Sequence, residues 1–445
     1  MRWPPPFRSL PNPAAVFAWS IYDLANQSFQ LLINTLLFSI FVKSVLVLGE
    51  DGRPDPDLGT KVWGDMLAVS LIGIILLSPV LGALADERAW KRELLIASGI
   101  VCSLLTCLLA VLEPGQVYLG FAIYVVAAIA CGLGENFLGS FLPEISTPES
   151  VGRVSAIGWT TSYLGAVLLL GATSIHCFAL ARPDIAQARP MFVFSGLWFF
   201  AGMIPAMIWL RERAVPPERN PSLGRIVSRS FKRLSESARA SGAYRQLVRF
   251  YAAFFVYSIG TMTVIYFLGI IGDSFGFEIP QLIAMALVVA ASAGASAAIV
   301  GRVQDKVGHK RTISGMLIIW VIATLTMAAG SGLGIAPGFF WLISGMIGFA
   351  LGGIGTSSRA MVGAFTPEAR AGEFFGVWGM VYKLSGVVGV LVFGRVSSAF
   401  GMPVALAVLA GFFTIGLLLL MRIDEHEGVR SAHGDRGIPP EPDAE

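Results

Sequence analysis

Charge is scarce in this sequence. Of 445 residues, 14% are charged and 55% are hydrophobic, with a mean hydropathy of +0.71. A soluble globular chain carries about 25% charged residues. The deficit excludes an ordinary water-soluble domain and points to a chain that lives in lipid. Cysteine and histidine are scarce too, at four each. Cys102, Cys107, Cys131 and Cys177 lie in apolar stretches, at no spacing that suits zinc or a disulfide framework. They read as small buried hydrophobes. His176, His309, His426 and His433 are scattered, so no metal site is expected. A Walker-type phosphate loop is missing, which excludes ATP as the driver. No His-Glu-x-x-His or Gly-x-Ser-x-Gly motif sits in a catalytic context. The expectation is a protein that is not an enzyme and needs no cofactor, metal or nucleic-acid partner.

What the sequence has in abundance is long apolar runs. A membrane-spanning helix needs about 20 mostly apolar residues. Twelve runs qualify: 14–42, 62–85, 92–112, 117–142, 155–180, 190–211, 247–272, 280–301, 312–331, 337–362, 373–398 and 403–422. Turn-forming stretches such as "EDGRPDPDLG" and "LARPDIAQARP" separate them. With the N-terminus placed inside, 25 of the 32 basic residues fall in cytoplasmic segments, and Lys383 falls within a span. That bias puts both termini in the cytoplasm. Residues 1–13 read as an uncleaved cytoplasmic lead, because no short apolar core with a small-residue cleavage site is present. Residues 423–445 read as a polar, disordered cytoplasmic tail.

Between spans 6 and 7, Leu223, Ile226, Val227, Phe231, Leu234 and Ala238 recur at helical spacing among Arg225, Arg229, Lys232 and Arg233. This is the pattern of a basic amphipathic helix lying on the inner membrane surface. A regulatory target is the other reading of the same helix.

The chain also repeats itself. "GALADERAWKR" follows span 2 and "GRVQDKVGHKR" follows span 8. Gly82, Asp86, Lys91 and Arg92 map onto Gly301, Asp305, Lys310 and Arg311 at a constant offset of 219. Thr147-Pro148-Glu149 maps onto Thr366-Pro367-Glu368 at the same offset. Two motifs in one register, two spans apart, argue for duplicated halves of six helices each. The expected fold is an all-α membrane protein with twelve transmembrane helices in two pseudo-symmetric bundles. The halves cover 14–211 and 247–422, joined by the basic linker 212–246.

In the repeated loop, Gly82 and Gly301 would permit close backbone approach. Asp86 and Asp305 would face the positive end of a helix in the other half. Arg88, Lys91, Arg92, Lys310 and Arg311 would supply charge at the membrane surface. Latches of this kind suit a rocking motion of the halves. Simple positive-inside anchoring is the alternative.

The two loops resemble the signature loop of the major facilitator superfamily, with Ala89 where the second copy keeps Gly308. A narrower resemblance follows. "WSIYDLANQSF" is similar to the opening of the vacuolar-effluxer branch, that of the autophagy-linked amino-acid exporters and their bacterial relatives. "FLPEISTPESVGRVSAIGW" and "SRAMVGAFTPEARAGEFFGVWG" resemble that branch's loops after spans 4 and 10. The resemblance implies two six-helix bundles, alternating access, and a central cavity lined by spans 1, 4, 7 and 10. It implies amino-acid efflux as the leading activity. Leu24 departs from the branch's usual Trp. Ser258, Ile259 and Met262 replace its Asn, Asp and Gln in span 7, which removes an acid from the second half.

The polar residues within the spans are the candidate site. In "AWSIYDLANQSFQLLINTLLFSIFV" (18–42), Asp23, Asn26, Gln27, Gln30 and Asn34 step by three or four residues and form one face. From residue 14, at about 1.5 Å per residue, Asp23 lies about 14 Å deep. Such a face must point at protein or water, so Asp23 reads as a proton or substrate-amine site, or else as part of a structural cluster. Glu135 and Asn136 in span 4 and Tyr382 and Lys383 in span 11 join it. Lys383 is expected to pair with Asp23 or Glu135, or to receive a substrate carboxylate. Tyr257, Ser258 and Thr261 offer neutral hydrogen-bonding groups from span 7. Arg359 reads as a cytoplasmic gate residue, with Glu144, Arg153 and Glu373 as partners. Small residues in spans 8 and 10 suit a close, moving contact between halves.

The expected activity is secondary transport of a small polar solute, in the efflux direction and coupled to protons. The alternative is export of amphipathic drug-, siderophore- or lipid-like compounds. The partners are then a small-molecule substrate, protons and the bilayer. The expected setting is a monomer in a bacterial inner membrane.

Overall fold

The computed structural model describes residues 5–8, 10, 12–146, 151–179, 185–212, 244–333, 337–366 and 371–433. Long helices follow one another along the chain: α1 (Pro13–Leu46), α2 (Pro56–Arg88), α3 (Lys91–Val111), α4 (Val117–Ser140), α5 (Val151–Ala179) and α6 (Arg189–Trp209). After the linker come α7 (Arg245–Ser274), α8 (Ile279–Val307), α9 (His309–Leu333), α10 (Pro337–Ala364), α11 (Ala371–Phe400) and α12 (Met402–Met421). Among the described residues, eleven helices are long and apolar enough to cross a membrane, and α5 contributes a shorter apolar stretch, Thr160–Ile175. The chain is a multi-pass membrane protein.

Local chemistry explains several boundaries. Pro56 opens α2 where its missing N–H costs nothing, and the Asp55 carboxylate accepts from the free N–H groups of Asp57 (3.1 Å) and Leu58 (2.9 Å). Glu278 and Gln281 form a reciprocal capping box at the start of α8. In the two related loops the backbone turns left-handed at equivalent places, Ala89 (φ 53°) and Gly308 (φ 93°).

The helices before the linker pack on one another: α1 on α5 and α6, α3 on α4 and α6, and α2 on α4. Those after it pack as α7 on α11 and α12, α9 on α10 and α12, and α8 on α10. The small residues of α8 and α10 serve this last contact. A Cβ on Gly352 would come 2.0 Å from Ala293 O, so the two backbones touch there. The close approach expected between the halves at α10 is therefore a contact of α10 with α8, within one set of helices.

Contacts between the two sets gather at the end away from the related loops. α2 lies along α11, α1 along α7, and α5 against α8. A Cβ on Gly64 would meet Val390 O at 2.6 Å, and one on Gly269 would meet Leu36 O at 2.7 Å. Lys43 Nζ pairs with Asp273 Oδ2 at 2.6 Å, and Arg395 Nη2 with Asp65 Oδ1 at 2.9 Å. Trp63 Nε1 donates to Tyr266 O at 3.1 Å.

Most of the linker, with its expected amphipathic helix, lies outside the described residues. Part of the expected disordered tail is ordered. Glu425–His433 forms a helix, α13, whose Gly428 sits against the Phe365 ring and whose Glu427 accepts from Gln246. The Glu425 carboxylate meets the open N-terminus of α9, a tertiary partner that polar composition could not reveal.

Candidate functional site

A cavity of about 470 Å³ lies between the two sets of helices. Its walls come from α1, α2 and α4 on one side and from α7 and α11 on the other. That volume falls within the roughly 300–1,000 Å³ typical of small-molecule sites.

The α1 wall has an unusual backbone. The helix is α-helical to Gln27, then bonds i→i+5 over Ser28–Leu37 and again over Val42–Leu46. The Thr35 hydroxyl donates to Gln30 O, five residues back, at 2.9 Å. Reciprocal bonds pin the start of this stretch to α6: Ser28 Oγ to Ser195 O (2.9 Å) and Ser195 Oγ to Ser28 O (2.8 Å). A wider turn spreads more residues over one face. Gln27, Phe29, Gln30, Leu31, Asn34 and Thr35 all line the cavity. Gln27, Gln30, Leu31, Asn34 and Thr35 also share one face of a 3.6-residue period, and Phe29 is the lining residue that period does not give.

Glu135 is the focus of the polar wall. Its Oε1 accepts from Asn26 Nδ2 (2.9 Å) and Gln30 Nε2 (2.8 Å). Each donor is itself aligned by another. Cys131 Sγ donates to Asn26 Oδ1 (3.0 Å), Asn34 Nδ2 donates to Gln30 Oε1 (3.2 Å), and Tyr124 Oη donates to Asn34 Oδ1. Two chains of donors thus converge on one carboxylate oxygen, the arrangement that stabilises an acceptor-only carboxylate. Glu135 lies deep in the bundle, and its exposed surface faces the cavity.

Lys383 faces this wall from α11. Its Nζ donates to Asn136 Oδ1 (3.1 Å), and Asn136 Nδ2 donates to Ser78 Oγ of α2 (2.7 Å). Tyr382, Met262, Ile265 and Tyr266 complete the second wall. Among the described residues no cluster of His, Cys, Asp and Glu is placed to hold a metal ion.

The structure brings together Asn26, Gln27, Gln30, Asn34, Glu135, Asn136, Tyr382 and Lys383. Asp23 is set apart. It is half-buried, outside the cavity lining, and faces Ser162 of α5, whose Oγ also takes a bond from Gln27 Nε2 at 2.7 Å. Tyr257, Ser258 and Thr261 lie outside the lining as well. Tyr257 Oη bonds Ser358 Oγ at 2.7 Å, Thr261 Oγ1 donates to Ser258 O at 3.2 Å, and Ser258 Oγ is buried with no partner among the described residues. Tyr257 meets α10 and α12 of the same set, and the cavity takes Met262, Ile265 and Tyr266 from α7. Tyr124, Cys131, Ser70 and Ser162 were not singled out as site residues. Cys131, buried as expected, is also a hydrogen-bond donor in the network. Its signal was its position four residues before Glu135, on the same helical face.

The loop residues make contacts within each set. Arg92 Nε donates to Leu210 O (2.8 Å) and its Nη2 donates to Met207 O, closing the carbonyl end of α6. Lys310 Nζ does the same for α12 through Met421 O (2.9 Å) and Ile423 O (2.7 Å). In return, Glu212 accepts from Arg92 N (3.4 Å), and Glu425 accepts from His309 N (2.9 Å) and Lys310 N (3.1 Å). Burial pushes the Glu212 carboxyl above the ordinary glutamate range, against the pull of the Arg92 and Lys91 N–H groups. Lys91 Nζ pairs with Glu144 Oε1 at 3.0 Å, and Arg88 lies over the Trp90 ring at 4.9 Å. A Cβ on Gly82 or Gly301 would meet open space, so the close approach expected there is not made. Arg311 is exposed at the start of α9, and Arg359 is exposed near the end of α10. The side chains of Asp86, Arg153, Asp305 and Glu373, the Thr147-Pro148-Glu149 motif, and Pro367 and Glu368 of its second copy lie outside the described residues, while Thr366 is buried.

Residues 66–433 match the model of the family described as "Vacuole effluxer Atg22 like". The chain belongs to that family. This vacuole-effluxer-like protein is 24% identical over 433 residues to the uncharacterized MFS-type transporter YxiO of Bacillus subtilis (strain 168), covering 95% of this chain and 97% of that one. It is 22% identical over 448 residues to autophagy-related protein 22-1 of Penicillium rubens, covering 82% of this chain and 75% of the relative. Among solved structures, the nucleoside transporter NupG superposes with a TM-score of 0.71 at 12% identity, over 92% of this chain and 98% of that one. The D-xylose–proton symporter gives 0.67 at 14% identity, over 93% and 98%. A bacterial homologue of the human lysosomal transporter Spinster, inward-facing and unoccupied, gives 0.66 at 12%, over 95% and 98%. At such identities the likeness establishes the fold, that of the major facilitator transporters.

Proposed function

We propose that this protein is a secondary transporter that moves a small polar solute through the central cavity by alternating access. The supporting observation is one cavity built from both sets of helices, with the Glu135 carboxylate on one wall and the Lys383 ammonium on the other. A solute held between them touches both halves, so its binding energy can depend on how the halves are disposed. In this reading, helices 14–211 and 247–422 form two six-helix halves that rock about the site, with the linker and both termini in the cytoplasm. The pairs Lys43–Asp273 and Asp65–Arg395 close the far end, and the related loops frame the cytoplasmic mouth.

The solute class that fits two opposite charges is a zwitterion, such as an amino acid, moved in the efflux direction. The Glu135 carboxylate, held by its amide donors, receives the ammonium side and Lys383 the carboxylate side. Coupling is to protons, through Asp23 or Glu135. The protein acts as a monomer, in a bacterial inner membrane. Uptake of labelled amino acids into proteoliposomes under a pH gradient tests this. Asp23→Asn or Glu135→Gln is expected to abolish the response to the gradient. Full gradient-driven uptake in both variants would rule out the coupling.

A second reading rests on the remaining lining. Leu31, Leu67, Leu71, Ile74, Met262 and Ile265 make much of the wall apolar, which suits an amphipathic compound. The same assay with membrane-partitioning drugs separates the two.

A further inference from the structure

The cavity carries its own counter-charges. Among the described residues that line it, Glu135 is the acid and Lys383 the base. They sit on opposite walls, and the Lys383 ammonium bonds the side chain next in sequence to Glu135, Asn136, at 3.1 Å. Lysine has donors only, so the direction of that bond is fixed. The two donor chains that end at Glu135 Oε1 likewise fix it as an acceptor.

An alternating-access carrier passes through a state closed at both ends, in which the cavity loses its water. A lone charge there is costly, whereas opposite charges facing each other offset much of that cost. We propose that the Glu135–Lys383 pair neutralises the unloaded cavity and so lets the substrate-free carrier reorient by itself. This inference rests on the alternating-access reading above. It adds a mode of transport: net flux that needs no second solute on the far side, as opposed to obligatory solute exchange, and it keeps Glu135 ionised opposite Lys383, which leaves Asp23 as the group that exchanges protons. It also restricts the cargo to solutes of no net charge, which leave the balance intact. The bond to Asn136 joins α11 to α4 across the cavity but does not lock it, because it is solvent-accessible and water or solute can replace it.

The two residues must then behave as a pair. Removing either one strands the other, and removing both restores neutrality. Asp23 lies outside the lining, beside Ser162, and feels the Glu135 charge, so Asp23→Asn is made in each background to hold its contribution fixed.

The test needs no ligand. Dyes are placed through noncanonical residues at Asp51 and Ser274, across the Lys43–Asp273 end, leaving native thiols in place. Single-molecule energy transfer then counts opening transitions of the purified, unliganded full chain in nanodiscs. Wild type is expected to show spontaneous transitions. Glu135→Gln and Lys383→Met are each expected to slow them by about a hundredfold, a barrier rise of roughly 2.7 kcal/mol. The double variant is expected to return to within about threefold of wild type. A wild type that does not move without ligand overturns the proposal. So do single variants that move at the wild-type rate, or a double variant that stays slow. Should a single variant fail to fold, the charge-exchanged Glu135→Lys/Lys383→Glu protein carries the test, with free transitions expected and immobility contradicting it. A carrier that moves freely but binds no amino acid in a separate screen would remove the zwitterion assignment and leave this inference standing.

Discussion

Ala89 and Gly308 occupy equivalent turns, and both are left-handed. Only one of them is the residue that tolerates such a backbone without a penalty. A non-glycine residue there costs about 1–2 kcal/mol, partly balanced by the entropy that glycine loses on folding. Ala89→Gly is therefore expected to raise stability by up to about 1 kcal/mol, and Gly308→Ala to lower it by about 1–3 kcal/mol. Thermal unfolding in detergent reads both. The Glu135 site gives a second prediction at this scale. Asn26→Ala removes one of two amide donors and leaves Cys131 without its acceptor, so ligand affinity is expected to fall about tenfold in a titration calorimeter. The sequence showed these polar residues plainly, because an acid, an amide or a lysine inside an apolar run stands out. It did not show Tyr124 or Ser162, since a tyrosine or serine in a span is common and acquires its role only from what faces it.

At the scale of the element, α1 does most to shape the site. Read as a uniform helix, its stripe runs from Asp23 to Asn34. Gln30, Asn34 and Thr35 of the i→i+5 stretch line the cavity, and Asp23, in the α-helical part before it, faces Ser162 of α5. No residue type encodes that stretch locally. It is held by partners on other helices, among them the reciprocal Ser28–Ser195 bonds. Ser28→Ala and Ser195→Ala are each expected to cost about 1 kcal/mol, with non-additivity of about 0.5–1 kcal/mol in a double-mutant cycle. The loop helices were only half legible. The repeat located Arg92 and Lys310, but their partners are carbonyls at the ends of α6 and α12, and Glu212 and Glu425 cap the helices in return. Glu212 makes this contact sensitive to pH. Burial raises its carboxyl, so the folded protein keeps a proton that the unfolded chain has released. Stability then declines as pH rises from the ordinary glutamate range through the raised one. Glu212→Gln is expected to flatten that decline in melting curves taken across the window.

For the molecule as a whole, the duplicated loops and apolar runs were enough to anticipate a multi-pass helical membrane protein, because span length and repeat register are properties of the chain itself. The disposition of the helices was not. Where the two sets of helices are joined depends on long-range pairs such as Lys43–Asp273, 230 residues apart. Lys43→Ala is expected to shift the resting distribution towards an opening there, measurable as a longer Asp51–Ser274 label distance. The central claim is that a zwitterionic solute binds between Glu135 and Lys383. The most direct measurement is a thermal-shift screen of the purified protein against the common amino acids, short peptides, sugars, nucleosides and amphipathic drugs, run on wild type and on Glu135→Gln/Lys383→Met. A ligand at about 100 times its dissociation constant stabilises by about 2.7 kcal/mol. The account predicts a shift with one or more amino acids in wild type and none in the double variant. A shift that survives in the double variant, or one produced only by amphipathic compounds, would contradict it.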